Sequence, residues 1–294
     1  MALLVMAATV LLVFVVGRSI GDPVSLMLPP AATSEQREAL RESLGLNDPW
    51  LVQFGDFVSG LARGDMGESF WFRAPAMELV LERLPATFYL GAVVLGVSIP
   101  LAVLLGGFAA VRPRSVVDRI INILSLGAVS IVHFWLALLL VLVFAVQLGW
   151  FATSGYGGLR YIALPAAALA LRPLGRMAQF TRSALLDEYS KPYITAARAK
   201  GMSEKRVFLH ALKNAGIPVI TLAGDDVADL VNGTVVIETI FSWPGIGMLL
   251  LQAIQGRDVI LVQAAVLVVA VLVALVNLLV DLTYGYLDPK VRYA

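Results

Sequence analysis

The sequence predicts an all-α membrane protein with six transmembrane helices, and three observations carry that reading. Hydrophobic residues make up 59% of the 294 and charged residues only 15%, where a soluble domain is about one quarter charged. A helix needs about 20 apolar residues to cross the hydrocarbon core. Six stretches qualify, at about 2 to 20, 86 to 111, 120 to 148, 161 to 181, 217 to 240 and 259 to 285. Lys and Arg concentrate in alternate connections, the asymmetry that fixes orientation in a bilayer.

Composition also removes several function classes. The 22 Lys and Arg against 21 Asp and Glu leave a net charge of +1, which gives no reason to expect nucleic acid or a strongly acidic partner. The absence of cysteine excludes disulfides, thiolate metal sites and cysteine nucleophiles. No G-x-x-x-x-G-K-[ST] run occurs, so the chain does not bind ATP through a P-loop. No Ser-His-Asp or H-E-x-x-H constellation supports a membrane-embedded hydrolase. His133 lies within span three and His210 in a polar segment, so the two form no metal-ligand pair and read as packing or surface histidines.

Taken in order, the first stretch lacks a basic n-region and a small-x-small cleavage site, so a retained span is expected rather than a signal peptide. The connection from 22 to 85 is long and mixed, with ten acids and five bases. Thr33 and Gln36 have capping-box spacing, Gly45 is a C-terminal stop, and Asp48-Pro49 is an N-cap and first-turn pair. Two amphipathic helices, about 34 to 44 and 49 to 62, follow as a cap or a docking surface. Arg63-Gly64-Asp65 carries no weight as an adhesion motif.

Basic residues set the orientation. Arg112, Arg114 and Arg119 follow span two; Arg182, Lys191, Arg198, Lys200, Lys205, Arg206 and Lys213 follow span four; Lys290 and Arg292 follow span six. The two short connections on the other side hold only Arg160 and Arg257. Both termini are therefore expected in the cytoplasm.

The segment after span four reads as two helices, about 183 to 199 and 203 to 215, with Gly201 at the turn and Ser203 capping the second. Ala196, Ala197 and Ala199 keep the turn slim, so another protein's surface can approach the backbone, and flanking bases can meet its acids. An orientation signal alone explains the charge. It does not explain an alanine pair, a glycine turn and a cap in sequence, so a docking element is the reading adopted.

The run 196-AARAKG-201, continuing to 217-IP-218, resembles the conserved cytoplasmic (EAA) loop of binding-protein-dependent ABC importer permeases. The rest of the chain is similar to the dipeptide, oligopeptide and nickel permease subfamily. The matching blocks are 21-GDP-23, 44-LGLNDPWLVQF-54, 64-GDMGES-69, 82-ERLPAT-87, 181-TRSALL-186, 238-ETIFSWPGIG-247 and 287-LDP-289, which together cover essentially the whole chain. The resemblance implies a type I ABC importer permease fold in the bacterial inner membrane. It divides the chain into 1–85 (first helix and extracytoplasmic helices), 86–285 (a five-helix core with a coupling segment at 182–216) and a cytoplasmic tail at 286–294. Ala196, Ala197 and Gly201 are then the coupling turn on an ATPase, with Lys200, Lys205 and Arg206 around it. Implied partners are a second homologous permease, two ATP-binding subunits that hold ATP and Mg, and an extracytoplasmic substrate-binding protein. No cofactor is expected on this chain and no enzyme activity of its own. Two departures stand out: Thr195 occupies the family's usual Glu position, a replacement associated with the peptide subfamily, and the usual basic tail does not precede the first span, which points to an alternative or shortened start.

Ionisable groups inside spans face a partner or a wet cavity rather than lipid. Asp225 and Asp229 share a helix face in span five, and Asp226 lies on an adjoining one. Two readings stay open: the acids line a translocation path and attract a cationic group, or they neutralise Arg172 and Arg176 of span four. Arg172 is assigned to the path with them. Trp243 suits an outer membrane interface, and Pro244 and Gly245 a re-entrant turn or outer gate. The expected substrate is a di- or oligopeptide, with nickel or glutathione as alternatives handled by relatives. A carrier driven by an ion gradient is the competing class, with the aspartates as proton or sodium sites; the docking segment argues against it.

Overall fold

The computed structural model describes residues 2–19, 24, 28, 33–43 and 45–287. Among the described residues the regular structure is helical, apart from an isolated bridge between Glu68 and Pro75. The helices are α1 (Ala2–Ser19), α2 (Ser34–Ser43), α3 (Trp50–Arg63), α4 (Ala76–Val111), α5 (Val116–Ser130) and α6 (His133–Leu140), the last running on as a π-helix over Val141–Gln147. They continue as α7 (Leu159–Tyr189), α8 (Pro192–Ala199), α9 (Glu204–Ile240), α10 (Ile246–Gln255) and α11 (Val259–Leu287).

The expected spans fare differently. By length and composition, two described helices can cross a membrane, within α4 and α11, or four if each bent pair counts as one span. The count of six is not reached on that measure. The third stretch, expected as one helix, is two helices bent by 103°. Ser130 Oγ donates to the Leu126 carbonyl at 2.8 Å, a bond that competes with the helical ladder, and the β-branched Ile131 and Val132 are extended. The fourth stretch lies within the 31-residue α7, whose internal prolines and arginines dilute the apolar run. The first holds a shorter apolar helix, Met6–Gly17.

The separate helices expected over 183–199 and 203–215 are also corrected. Residues 183–189 are the end of α7, and a break at Ser190–Lys191 precedes α8. Pro192 is the physical cause: its ring excludes the α region for the residue before it, and Lys191 accordingly sits at ψ 147°. Downstream the helix does not stop near 215 but runs through Pro218 to Ile240, with a 47° bend between Gly216 and Pro218.

The chain forms two compact units: Met1–Thr87 with Pro244–Ala274, and Phe88–Trp243 with Leu275–Ala294. In the first, Ala76, Val80, Ile246, Leu249, Leu261 and Ala264 form a buried core. The predicted capping box is present: Thr33 N–H donates to Gln36 Oε1 at 3.1 Å and Gln36 N–H to Thr33 Oγ1 at 3.3 Å. Gly45 is left-handed at φ 61°, as a helix stop requires. The N-cap of α3 is Pro49 rather than the expected Asp48. Asp258, fully buried, accepts from Ser69 Oγ at 2.5 Å and Trp71 N–H at 3.1 Å, while its other oxygen caps α11 through Leu261 N–H at 3.1 Å. One carboxylate thus ties the loop after α3 to the start of the last helix.

The second unit is organised around α7, which packs against α5, α6 and α9. Glycines allow close approach: a Cβ on Gly175 would lie 2.6 Å from the Ser125 carbonyl oxygen, and one on Gly106 would lie 2.5 Å from that of Ala178. Asp118, in the first turn of α5, accepts from Arg182 Nε at 2.5 Å and Nη2 at 2.9 Å, from Arg114 N–H at 2.8 Å and from Asn122 Nδ2 at 2.8 Å. Removing one member of such a pair leaves a poorly solvated charge. Asp118→Ala is therefore expected to destabilise the protein by about 3 kcal/mol, the low end for a buried pair because Arg182 keeps some solvent access. A lowered thermal midpoint of the detergent-purified protein is the check.

Candidate functional site

Two places in the second unit carry chemistry that packing does not explain: the turn after α8 and a cleft beside α7. The turn is held from below by an apolar cluster in which Ala110, Leu185, Ile194, Val207, Ala211 and Ala215 are buried. Ile194 on α8 and Val207 on α9 enter the same core, so the two helices converge and the residues between them are pushed outward. Gly201 N–H donates to the Arg198 carbonyl at 2.9 Å and Met202 N–H to that of Ala197 at 3.1 Å, with Gly201 at φ 76°. This is the paired bonding of a Schellman stop, which glycine adopts without strain. Open space surrounds the position where a Gly201 Cβ would sit.

Ala196, Lys200, Gly201, Lys205 and Arg206 are all exposed here, and Ala197 is half-buried. The six residues expected at a docking turn thus lie on or beside the same α8–α9 turn. Ser203 is the N-cap of α9, but through its backbone carbonyl alone, which accepts from Arg206 and Val207 at 2.9 and 3.0 Å; the expected side-chain cap is not made.

Sequence reading missed the polar braces of this turn. Arg198 donates through Nε and Nη2 to the two oxygens of Glu204 at 2.9 and 3.1 Å, bridging the ends of α8 and α9, and its guanidinium lies 5.8 Å from the centre of the Tyr189 ring. That ion pair raises the Arg198 pKa and lowers that of Glu204. At the other end of α8, Lys191 donates to Glu188, Tyr193 Oη donates to Glu188 at 2.6 Å, and Asn214 donates to Tyr193 Oη at 3.0 Å. Burial alone would raise the Glu188 carboxyl; the donors from Lys191 and Tyr193 outweigh it and hold the group below its ordinary value. The signal was available as an Arg and a Glu six residues apart across a glycine, but only the turn geometry makes them neighbours.

The cleft has a volume of about 300 Å³ and apolar walls from Leu169, Pro173, Leu230 and Gly233. Among the described residues its polar lining is His133, Arg172 and Asp226. Helical spacing explains the set: 169, 172 and 173 share one face of α7, and 226, 230 and 233 share one face of α9. His133 reaches it because the break in the third apolar stretch starts α6 at that residue. Arg176, one turn beyond Arg172, places Nη2 2.7 Å from Asp226 Oδ1.

The aspartates therefore separate. Asp226 is buried and ion-paired, Asp225 is exposed, and the side chain of Asp229 lies outside the described residues. Trp243 is fully buried, 4.8 Å from the Tyr156 ring and stacked on Tyr89 at 6.2 Å, so it is a core anchor and not the interfacial residue its type led us to expect. Pro244 is half-buried and Gly245, buried, is the N-cap of the short helix α10.

The comparisons with known proteins agree with this architecture. Residues 102–293 match the family described as binding-protein-dependent transport system inner membrane component. A putative peptide transport system permease protein of Brucella abortus is 41% identical over 282 residues, covering 93% of this chain and 90% of the relative. The oligopeptide transport system permease protein AppB of Bacillus subtilis is 36% identical over 302 residues, covering 99% of this chain and 96% of its own. Among solved structures, an inward-facing conformation of the MetNI methionine ABC transporter aligns with a TM-score of 0.51 and 21% identity, covering 71% of this chain and 94% of that one. That likeness establishes the fold, the helical type I ABC importer architecture.

Because the Glu188 carboxylate is held below its ordinary value of 4.5, its stabilising effect is complete above that pH and is lost as pH falls through the lowered native value. Glu188→Gln is expected to melt below the parent protein near neutrality, with the gap closing as pH drops below 4.5. Thermal unfolding followed across that pH range checks the sign.

Proposed function

The chain belongs to the family of binding-protein-dependent transport system inner membrane components, and from that premise we propose that it forms half of the translocation path of an ATP-driven peptide importer. Its relatives are named as peptide and oligopeptide permeases, and di- or oligopeptides are the substrate class we carry over. The working complex pairs this chain with a second homologous permease, two ATP-binding subunits that hold ATP and Mg, and an extracytoplasmic binding protein that delivers the peptide. Both termini and the α8 turn face the cytoplasm of a bacterial inner membrane.

The observation that carries the reading is the exposed turn over Ala196–Gly201, locked by a Schellman stop and an Arg198–Glu204 brace. A docking knob has to be small enough to enter a groove and stiff enough to transmit force. The alanines and glycine supply the first property and the braces the second. ATP binding closes the ATPase pair, draws the two coupling turns together and turns the permeases outward; hydrolysis resets them, giving alternating access by rigid-body motion. Lys200, Lys205 and Arg206 supply positive charge around the contact, which steers association with an acidic groove.

Overpacking a fitted surface costs about 1–3 kcal/mol, so Ala196→Trp and Gly201→Trp are each expected to cut peptide uptake by about tenfold or more. Stimulation of ATP hydrolysis by loaded binding protein should fall with it, while the chain still reaches the membrane. Uptake within twofold of the parent for both variants would remove the coupling assignment.

A further inference from the structure

The charges lining the cleft beside α7 set an expectation for which end of a peptide it would receive. This inference rests on the importer reading above and adds a specificity residue to it. Asp226 is the buried acid of the cleft, but its carboxylate is already engaged by Arg176 at 2.7 Å, with only 6% of the Asp226 side chain exposed. Arg172, on the same lining, is exposed, and among the described residues no ion pair includes it. Among the described residues, the other ionisable group on the cleft lining is His133. Among the described lining residues, the charge left outside an ion pair is that of Arg172.

The position of that charge makes it unusual. Arg172 is thirteen residues from the start of the 31-residue α7, about 20 Å along the axis at 1.5 Å per residue. A guanidinium that far from either helix end is tolerated where it faces a partner or a wet cavity, and such a residue marks a pathway. Its planar fork matches a carboxylate through two parallel hydrogen bonds. A peptide always carries one group of that shape, its C-terminal carboxylate, whereas its ammonium end would be repelled. The volume of about 300 Å³ lies at the lower end for small-ligand sites, which suits a terminal residue and not a whole oligopeptide.

We propose that Arg172 is the carboxylate-receiving group of the translocation path, so that the C-terminus of a peptide is the end held in this cleft. Asp226 and Arg176 act as a neutral brace behind it. Of the two readings open for the span-five acids, the assignment follows the one in which Asp226 neutralises Arg176.

The test uses the complete importer in proteoliposomes with its binding protein, supplied with an equal mixture of trialanine and trialanine amide. Because the same binding protein serves every variant, its own preference cancels when acid-to-amide uptake ratios are compared. Arg172→Gln is expected to lower the ratio about tenfold, the order of a lost hydrogen-bonded charge contact. Arg172→Met, equally neutral and at ease in an apolar helix, should do the same and decides the matter if the glutamine variant does not assemble. An unchanged ratio, or an equal fall in uptake of both forms, overturns the proposal while leaving peptide import standing. Failure of the parent complex to take up either form defeats the importer reading itself, and this inference with it.

Discussion

An arginine inside an apolar helical protein has to find a carboxylate, a backbone acceptor or water, and that demand organises the second unit. Helix α7 carries Arg172, Arg176 and Arg182, and each resolves the demand differently. Arg182 closes a bidentate pair on Asp118 and so fixes the start of α5. Arg176 engages Asp226 and so fixes the rotation of α9. Arg172 opens onto a cleft. Arg182 and Arg176 thus build the scaffold, and Arg172 is the one the proposal gives to a ligand.

The same scaffold positions the turn over Ala196–Gly201. Glycines at 106 and 175 let α4 and α5 approach α7 within distances that a Cβ would forbid, which makes the bundle around α7 stiff. The end of α7 then supplies Leu185 and Glu188, which seat α8 from its apolar and polar sides. A displacement of the turn therefore has a packed route to the helix that carries Arg172. Protein interiors shift between discrete packings and do not stretch, so a partner pulling on Ala196–Gly201 moves helices as bodies. Under the proposed function, this is the physical form that coupling between an ATPase and a substrate path would take.

Much of this was legible in the sequence. Apolar runs, the glycine at 201 and the capping box at Thr33 are local signals, and the helices appear where those signals lie. The misreadings have two causes: local backbone breaks that hydropathy does not register, and contacts between distant positions. The third apolar stretch breaks at Ser130, where one hydroxyl bond and two extended β-branched residues redirect the chain, and hydropathy is blind to such a break. Asp225, Asp226 and Asp229 are equivalent as letters, yet only the packing of α9 on α7 decides that Asp226 meets Arg176. Trp243 was placed by its residue type at a membrane interface, but Tyr89 and Tyr156 enclose it. Sequence spacing gives the face of a helix; the neighbour that covers that face is a property of the fold.

The central claim is that the Ala196–Gly201 turn is the contact through which this chain is driven. The sequence holds no cysteine, so a single Ala196→Cys substitution introduces a unique thiol at an exposed position. In the assembled importer, a short thiol-to-amine crosslinker at that site is expected to join this chain to an ATP-binding subunit, with a yield that changes when ATP is bound. Crosslinks to lipid or to other chains alone, with none to an ATP-binding subunit in any nucleotide state, would contradict the account.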